Sequence, residues 1–308
     1  QARLFDYPTP KSAPKEVRVS HGINGYLVDA PNVYVSARTN PLSPELPKVS
    51  FGSMPRDGKH LLVSAAQYAD VAADPVAARY LRRFVGADEL VNGKERWCLW
   101  MADEFDPDDI TRSPVLRKRL AAVKEMREDS KADTTREWAK SPHLFVQQAQ
   151  PTVAYLGIPR HVTESRAFFP TMRFEADVIC GDANFLCPDP DGFAFAVISS
   201  SMFITWQKTV GGRIKSDLRF SKDIVWNNLP LPAVTENLRA QIIQAGQGVA
   251  EARAQHPDRS LAAHYQPLGM APELVSAHRA LDRVVDKAFG VARARTLSEV
   301  DRQRILFD

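Results

Sequence analysis

Cysteine and long apolar runs are scarce in this sequence. The 308 residues contain three cysteines, Cys98, Cys180 and Cys187, an odd number that fits a reducing compartment better than a disulfide framework. The longest apolar run, 192–198, is far shorter than the ~18 residues of a membrane helix. A disulfide scaffold and a membrane span are therefore excluded. Because the chain begins at Gln1 and no signal peptide follows, we expect a piece of a longer, cytoplasmic bacterial protein.

Net charge is also small, at +3, which excludes a globally basic nucleic-acid binder. The charges are nevertheless segregated, with basic segments at 111–140 and 206–222 and an acidic cluster at 103–109. Such segregation is typical of a protein that meets an anion on one face. Solvated helix faces are the alternative interpretation.

Catalytic motifs are missing as well. The sequence lacks a G-x-G-x-x-G, a phosphate-binding loop and a G-x-S-x-G, and its histidines form no metal-binding pair. Cys180 and Cys187 have no second ligand pair, which favours buried thiols over a zinc site. The stretch 189–192 is better explained as a turn than as a calcium loop.

The distribution of prolines and of helix start signals predicts an α+β fold with two parts. The first 60 residues are rich in proline and allow only short strands, for example at 26–28 and 33–35. Ser113 and Pro114 begin a predicted helix whose basic residues lie off its apolar stripe. Thr235 and Pro272 begin two more helices, the second ended by Gly290. His278 lies on the apolar stripe of the second, which favours a packed, satisfied histidine over a catalytic one. We expect a mixed domain of short strands and helices over 1–232 and a smaller all-helical domain over 233–308.

The most informative stretch is 199–232. Met202, Trp206 and Val210 recur at helical spacing and Gly211-Gly212 is a plausible stop. Over 213–219 the period becomes two, which predicts one exposed strand with a charged face and the even positions directed toward the core. The charged residues are Arg213, Lys215, Asp217 and Arg219.

Lys215 and Asp217 form a donor and acceptor pair. On one strand face they would lie ~6.5–7 Å apart. Lysine can donate to guanine and aspartate can accept from cytosine, so the pair suits a G·C base pair in the major groove. The wet face of an amphipathic strand is the alternative.

These residues also carry a resemblance. The sequence resembles the target-recognition and C-terminal region of MmeI-like (type IIL, a branch of type IIG) restriction–modification DNA methyltransferases. The pieces occur in common order over nearly the whole chain: 49–55 with 57–58, 83–86, 92–100, 141–143, 158–160, 212–221, 225–230 and 280–290.

The resemblance implies a sequence-specific, double-stranded DNA recognition module. In the family, an upstream domain binds S-adenosylmethionine and methylates adenine N6, often with a further endonuclease domain that would use Mg²⁺. The motifs of those domains are absent here, so this chain is expected to hold no cofactor or metal and to lack catalytic residues. The base-reading positions implied are Lys215, Asp217 and Arg219, with a second segment at Asp182, Ala183 and Asn184.

The sequence offers several candidate phosphate contacts and two rival functions. Candidates for contacts to DNA phosphates, each equally able to form a surface ion pair, are Arg160, Arg166, Lys208 and Arg213. Trp97, Trp100 and Trp206 could stack on bases, although core packing is favoured. The rival functions are a protein-interaction module that docks an acidic partner on the basic helix 113–128, and a small stand-alone hydrolase.

Overall fold

Short strands separated by proline and glycine give four small sheets, as the computed structural model of the protein shows. The structure describes residues 3–7, 11–292 and 296–308. The strands are β1 (Leu4–Asp6), β2 (Lys15–Val17), β3 (Ser50–Phe51), β4 (Leu62–Ser64), β5 (Leu81–Val85), β6 (Arg96–Leu99), β7 (Tyr155–Pro159), β8 (His161–Val162), β9 (Met172–Phe174), β10 (Ile179–Cys180), β11 (Asn184–Pro188), β12 (Gly212–Ile214) and β13 (Asp217–Arg219).

Helices fill the spaces between the sheets and form the C-terminal part. They are α1 (Ala65–Ala72), α2 (Ala87–Asn92), α3 (Asp109–Arg112), α4 (Pro114–Glu128), α5 (Asp133–Arg136), α6 (Phe193–Ile198), α7 (Ser201–Val210), α8 (Glu236–Ala254), α9 (Leu261–His264), α10 (Pro272–Ala288) and α11 (Glu299–Phe307). A π-helix covers Lys222–Trp226, and 3-10 turns cover Ala77–Tyr80 and Glu137–Lys140. The predicted α+β class is confirmed.

The sheets place the strands in a mixed order. Their strand orders are β1-β2, β10-β5-β6-β4, β3-β11-β7-β9 and β12-β13-β8. All pairs are antiparallel except β10 with β5. The 26–28 and 33–35 segments form no strand; an isolated bridge joins Ile23 to Asp29 instead.

Helix boundaries follow the predicted signals. The Ser113 hydroxyl accepts a hydrogen bond from the Leu116 amide and begins α4 with Pro114 in its first turn. Thr235 caps α8 in the same way. Gly290, with φ of 83°, follows the end of α10 in the left-handed conformation that glycine favours.

Two hydrophobic clusters form the core. The smaller cluster joins β4, β5 and β6 to α4, with Phe145 buried among them. The larger cluster contains Leu186 and Phe203, and also Ile242 of α8 and Leu281 of α10. The helices after residue 232 therefore pack on the same core as the sheet β3-β11-β7-β9. The domain boundary at residue 232 stays a prediction.

Candidate functional site

The segment 212–219 is a β-hairpin, which corrects the predicted single strand. β12 pairs with β13 in the register Ile214 to Asp217 and Gly212 to Arg219, and Lys215 and Ser216 form a two-residue loop. Lys215 has φ of 55°, a value that a hairpin loop of this length requires in at least one residue. The chain reverses between Lys215 and Asp217, so the spacing expected on a straight strand does not apply to them.

The reversal also changes which side chains share a face. Directly opposite residues of an antiparallel pair lie on one face, so Arg213 shares the face of Leu218, not that of Asp217. Ile214, predicted to point toward the core, is 47% exposed, whereas Leu218 and Phe220 are buried as predicted. Lys215 and Arg219 are exposed. The hairpin therefore presents a charged loop above an apolar base.

The base of the hairpin is fixed to Arg160. β13 pairs with β8, Arg219 lying opposite His161, and the Phe220 amide donates to the Arg160 carbonyl oxygen at 3.0 Å. These bonds bring Arg160 and Arg219, which are 59 positions apart in the sequence, to one groove of about 360 Å³.

Aromatic rings shape the floor of this groove. Phe51 of β3 and Phe185 of β11 stack with their ring centroids 4.6 Å apart, and the Arg160 guanidinium lies 5.3 Å and 5.9 Å from the two centroids. This cation–π geometry holds the guanidinium in place. Neither Arg160 nor Arg219 donates a side-chain hydrogen bond to any residue that the structure describes. Two guanidinium groups with free donors, one of them held by the aromatic floor, are suited to an anion.

The second predicted reading segment lies beside the groove as a tight turn. Asp182 and Ala183 form the turn before β11, and the Asp182 amide donates to the Ser53 carbonyl at 3.0 Å. A Cβ on Gly52 would lie 2.2 Å from the Gly181 carbonyl oxygen, so only glycine allows this approach of the two backbones. The 49–55 motif is thus the partner that holds the turn.

Asp182 and Ala183 remain candidates for base contacts, but Asn184 does not. Asn184 has no exposed surface, and its side-chain amide donates to the Val85 carbonyl at 3.1 Å. The structure contradicts its assignment as a base-reading residue because the side chain faces the interior.

Opposing influences act on the pKa of the Asp182 carboxyl, and burial is the largest of them. Burial raises its pKa above the usual value, while its own backbone amide and the charges of Arg160 and Arg56 act in the opposite direction. Arg56, which the sequence did not single out, therefore lies near the turn.

The other predicted phosphate contacts are engaged within the protein. Lys208 pairs with Glu299 of α11 at 2.9 Å, and Arg213 pairs with Glu164 at 3.0 Å. Arg166 donates to the Ala262 carbonyl at 3.1 Å. Of the four candidates, only Arg160 lies in the groove with Arg219.

Three residues of this surface were missed by sequence reasoning: Phe51, Lys222 and Arg56. Phe51 is 38% exposed, and Lys222, beside the groove, bonds to Asp223 at 2.7 Å. The 49–55 motif contains Phe51, so the resemblance could have indicated it, whereas Arg56 lies between that motif and Asp57-Gly58. Core packing, the interpretation favoured for Trp100 and Trp206, is confirmed, because both side chains are buried.

Metal-binding clusters are not seen in the part of the chain that the structure describes. Within residues 3–7, 11–292 and 296–308, no three side chains of His, Cys, Asp or Glu converge on a metal position. In the same ranges, no helix combines the length and apolar character needed to span a membrane. All three cysteines are free and buried, and burial raises the pKa of each thiol.

Comparison with known proteins decides the family. Residues 29–233 match the family described as the MmeI target recognition domain, and residues 234–308 match the MmeI C-terminal domain. The chain belongs to the MmeI family.

Two relatives extend this result. The chain is 32% identical over 268 residues to DNA methyltransferase A of Bacillus subtilis (strain 168), covering 87% of this chain and 30% of that protein. It also aligns, with a TM-score of 0.86 and 33% identity, to the type IIL restriction-modification enzyme MmeI solved in complex with DNA. That alignment covers 99% of this chain and 40% of MmeI. The chain thus spans less than half the length of either relative.

Proposed function

We propose that this member of the MmeI family is the double-stranded DNA recognition module of a restriction–modification DNA methyltransferase. The observation that carries the proposal is the groove at the base of the hairpin, which Arg160 and Arg219 both line, with the Asp182 carboxyl within reach of the Arg160 charge. DNA phosphates suit two free guanidinium groups, and base edges suit short polar loops that enter a groove.

In this proposal the two arginines and the hairpin residues have different roles on the DNA. Arg160 binds a phosphate and fixes the orientation of the protein on the duplex. Arg219, at the base of the hairpin, reaches a base edge or the phosphate beside it. Lys215 can only donate and Asp217 can only accept, so the hairpin selects guanine under Lys215 and cytosine under Asp217. The hairpin replaces the straight strand in this account: Lys215 lies in its loop, and Asp217 is the first residue after the loop.

Reversing donor and acceptor tests the reading role. We expect the double variant Lys215→Glu with Asp217→Arg to exchange G for C at one position of the bound sequence. The measurement is selection from a random duplex library by the 308-residue chain, followed by sequencing of the bound fraction. A wrong base pair costs ~1–3 kcal/mol, which is enough to change the selected base at one position.

The control for this experiment lies on α4. Lys118 is exposed there, and Lys118→Glu should leave the selected sequence unchanged. An unchanged motif in the double variant, or loss of preference at every position, would show that Lys215 and Asp217 do not read bases.

The remaining activity is assigned to the longer protein. We infer that methyl transfer from S-adenosylmethionine to adenine N6 takes place in an upstream domain of the same polypeptide, in the bacterial cytoplasm. Any fused endonuclease domain would use Mg²⁺. This chain's contribution is to bind and orient the duplex for that domain.

A further inference from the structure

The loop 55–59 has an unusual backbone. Arg56 and Lys59 have φ of 41° and 70°, values in the left-handed region, although neither is glycine. Residues with a Cβ rarely adopt this conformation, and it persists only where the surroundings impose it.

The buried Arg127 imposes this backbone conformation on the loop 55–59. This side chain lies on α4 with no exposed surface, and its guanidinium donates five hydrogen bonds, all to backbone carbonyls. The acceptors are Pro55 (2.9 Å), Arg56 (3.0 Å), Trp138 (3.0 Å), Ser141 (2.9 Å) and Leu144 (2.8 Å). A guanidinium has five N–H donors, so Arg127 is fully used in joining the loop 55–59 to 138–144.

Asp57 also fixes the loop 55–59, through hydrogen bonds from backbone amides. It is buried, and its carboxylate accepts hydrogen bonds from the amides of Lys59, Leu61 and Leu62 at 2.6–3.0 Å. Arg127 and Asp57 together leave the loop little freedom to rearrange.

Arg56 is exposed in this loop, as are Gly58 and Lys59, and it is the one that lies toward the Asp182–Ala183 turn. Three residues before it, Ser53 binds the amide of Asp182, and the Arg56 charge reaches the Asp182 carboxyl. Its Nε donates to the Met54 sulfur and its Nη1 to the Thr135 hydroxyl, both at 3.2 Å. Nε and one hydrogen of Nη1 are thus engaged, whereas Nη2 donates to no residue that the structure describes. A single contact to a phosphate oxygen needs only one free donor.

We propose that Arg56 contacts a DNA phosphate next to the Asp182–Ala183 turn, and that the buried Arg127 is its positioning residue. This inference rests on the proposed DNA-binding function. It adds a third segment to the hairpin and the turn, and it explains why α4 buries a charge that makes only backbone contacts.

Loss of one phosphate contact changes the salt dependence of binding. We expect Arg56→Gln in the 308-residue chain to reduce the log–log slope of affinity against salt by about 0.9. The probe is a fluorescein-labelled 24-base-pair duplex of mixed sequence, titrated by anisotropy between roughly 50 and 200 mM KCl. The matched control is Lys287→Gln on the exposed face of α10, which should leave the slope unchanged.

A double-mutant cycle tests the positioning role. Arg127→Met removes the five donors, and we expect it to reduce the slope as much as Arg56→Gln does. Combining the two variants should add no further loss, because Arg127 acts on DNA only through Arg56. Arg127→Lys, which keeps the charge and three donors, should restore part of the slope. Circular dichroism checks that each variant is folded, and Arg56→Gln alone suffices if Arg127→Met does not fold.

The outcomes separate this inference from the proposed function. If Arg160→Gln lowers the slope and Arg56→Gln does not, Arg56 is not a phosphate contact, while the DNA-binding function stands. Additive losses in the double variant would contradict the positioning role of Arg127. A wild-type chain whose affinity is independent of salt would overturn the proposed function itself.

Discussion

Single side chains account for the largest differences between the sequence interpretation and the structure. Leu116, Leu120 and Val123 define the buried stripe of α4 as predicted. The basic residues were predicted to lie off this stripe, but Arg127 continues it at the next helical position and is buried. Charge alone predicts exposure, and the five carbonyls that satisfy Arg127 come from segments 11 to 72 positions away in the sequence. Nothing local to α4 could have indicated them.

His278 shows the opposite case, in which residue type and position were sufficient. Its place on the apolar stripe of α10 predicted a packed, satisfied histidine, and this prediction is confirmed. The ring stacks on Phe168 at 3.8 Å, its Nδ1 lies 3.0 Å from the Ser199 carbonyl, and its Nε2 lies 2.9 Å from the Tyr265 hydroxyl. Since a carbonyl only accepts, Nδ1 carries the proton and Nε2 accepts from Tyr265.

A pH dependence of stability follows from this packing. Burial lowers the pKa of His278 to about 3, with the charge of Arg253 contributing further. The unfolded state therefore takes up a proton near pH 6.5 that the folded state does not, and the folded state loses stability as pH falls below 6.5. We expect the stability difference between wild type and His278→Gln to shrink by about 3 kcal/mol between pH 7 and pH 4.

Urea unfolding at the two pH values measures this difference. Subtracting the variant cancels other groups, including the buried Asp282 and Asp286, whose pKa values burial raises. The same substitution at the exposed His161 is the control and should change stability little. A difference between wild type and His278→Gln that is equal at both pH values would contradict a buried neutral imidazole.

At the scale of elements, helices were easier to predict than the hairpin. Ser113, Pro114, Thr235 and Pro272 mark helix starts through local chemistry, and the structure begins α4, α8 and α10 where they indicate. The hairpin has no such mark, because Lys215-Ser216 is not one of the glycine-containing pairs typical of two-residue loops. The alternation of charged residues continues through the loop, so period alone could not locate the reversal.

The contact between α6 and α8 gives a prediction at this scale. A Cβ on Gly246 would lie 2.6 Å from the Ala196 Cβ, whereas a Cβ on Gly248, two residues along the same helix, meets no atom within 4 Å. We expect Gly246→Ala to lower the free energy of unfolding by about 1–3 kcal/mol through overpacking. Gly248→Ala should raise it by about 0.5–1 kcal/mol, because alanine is the better helix former.

Chemical denaturation of the two variants compares the effects within one helix. Stabilisation by Gly246→Ala would show that α8 does not pack closely on α6. Because α6 precedes residue 232 and α8 follows it, the experiment also measures how firmly the C-terminal helices are attached to the sheet part.

For the molecule as a whole, the sequence predicted the class and the family but not the arrangement of the surface. The mixed α+β part and the helical C-terminal part are both present, and the larger core joins them. The groove could not be predicted, because Phe51, Arg160 and Arg219 come together only through pairing of β3 with β11 and of β8 with β13. Each of the two arginines is unremarkable in its own segment.

Salt-dependent DNA binding tests the central claim most directly. With about four to six phosphate contacts, the affinity of the 308-residue chain for a mixed-sequence duplex should fall with a log–log slope of roughly 3.6–5.4. The double variant Arg160→Gln with Arg219→Gln should reduce this slope by up to about 2, one contact for each guanidinium that meets a phosphate. The same change at Arg117 and Lys118, exposed on α4, should have no effect. A flat salt dependence, or a slope reduced only by the α4 variant, would contradict recognition of DNA by the groove.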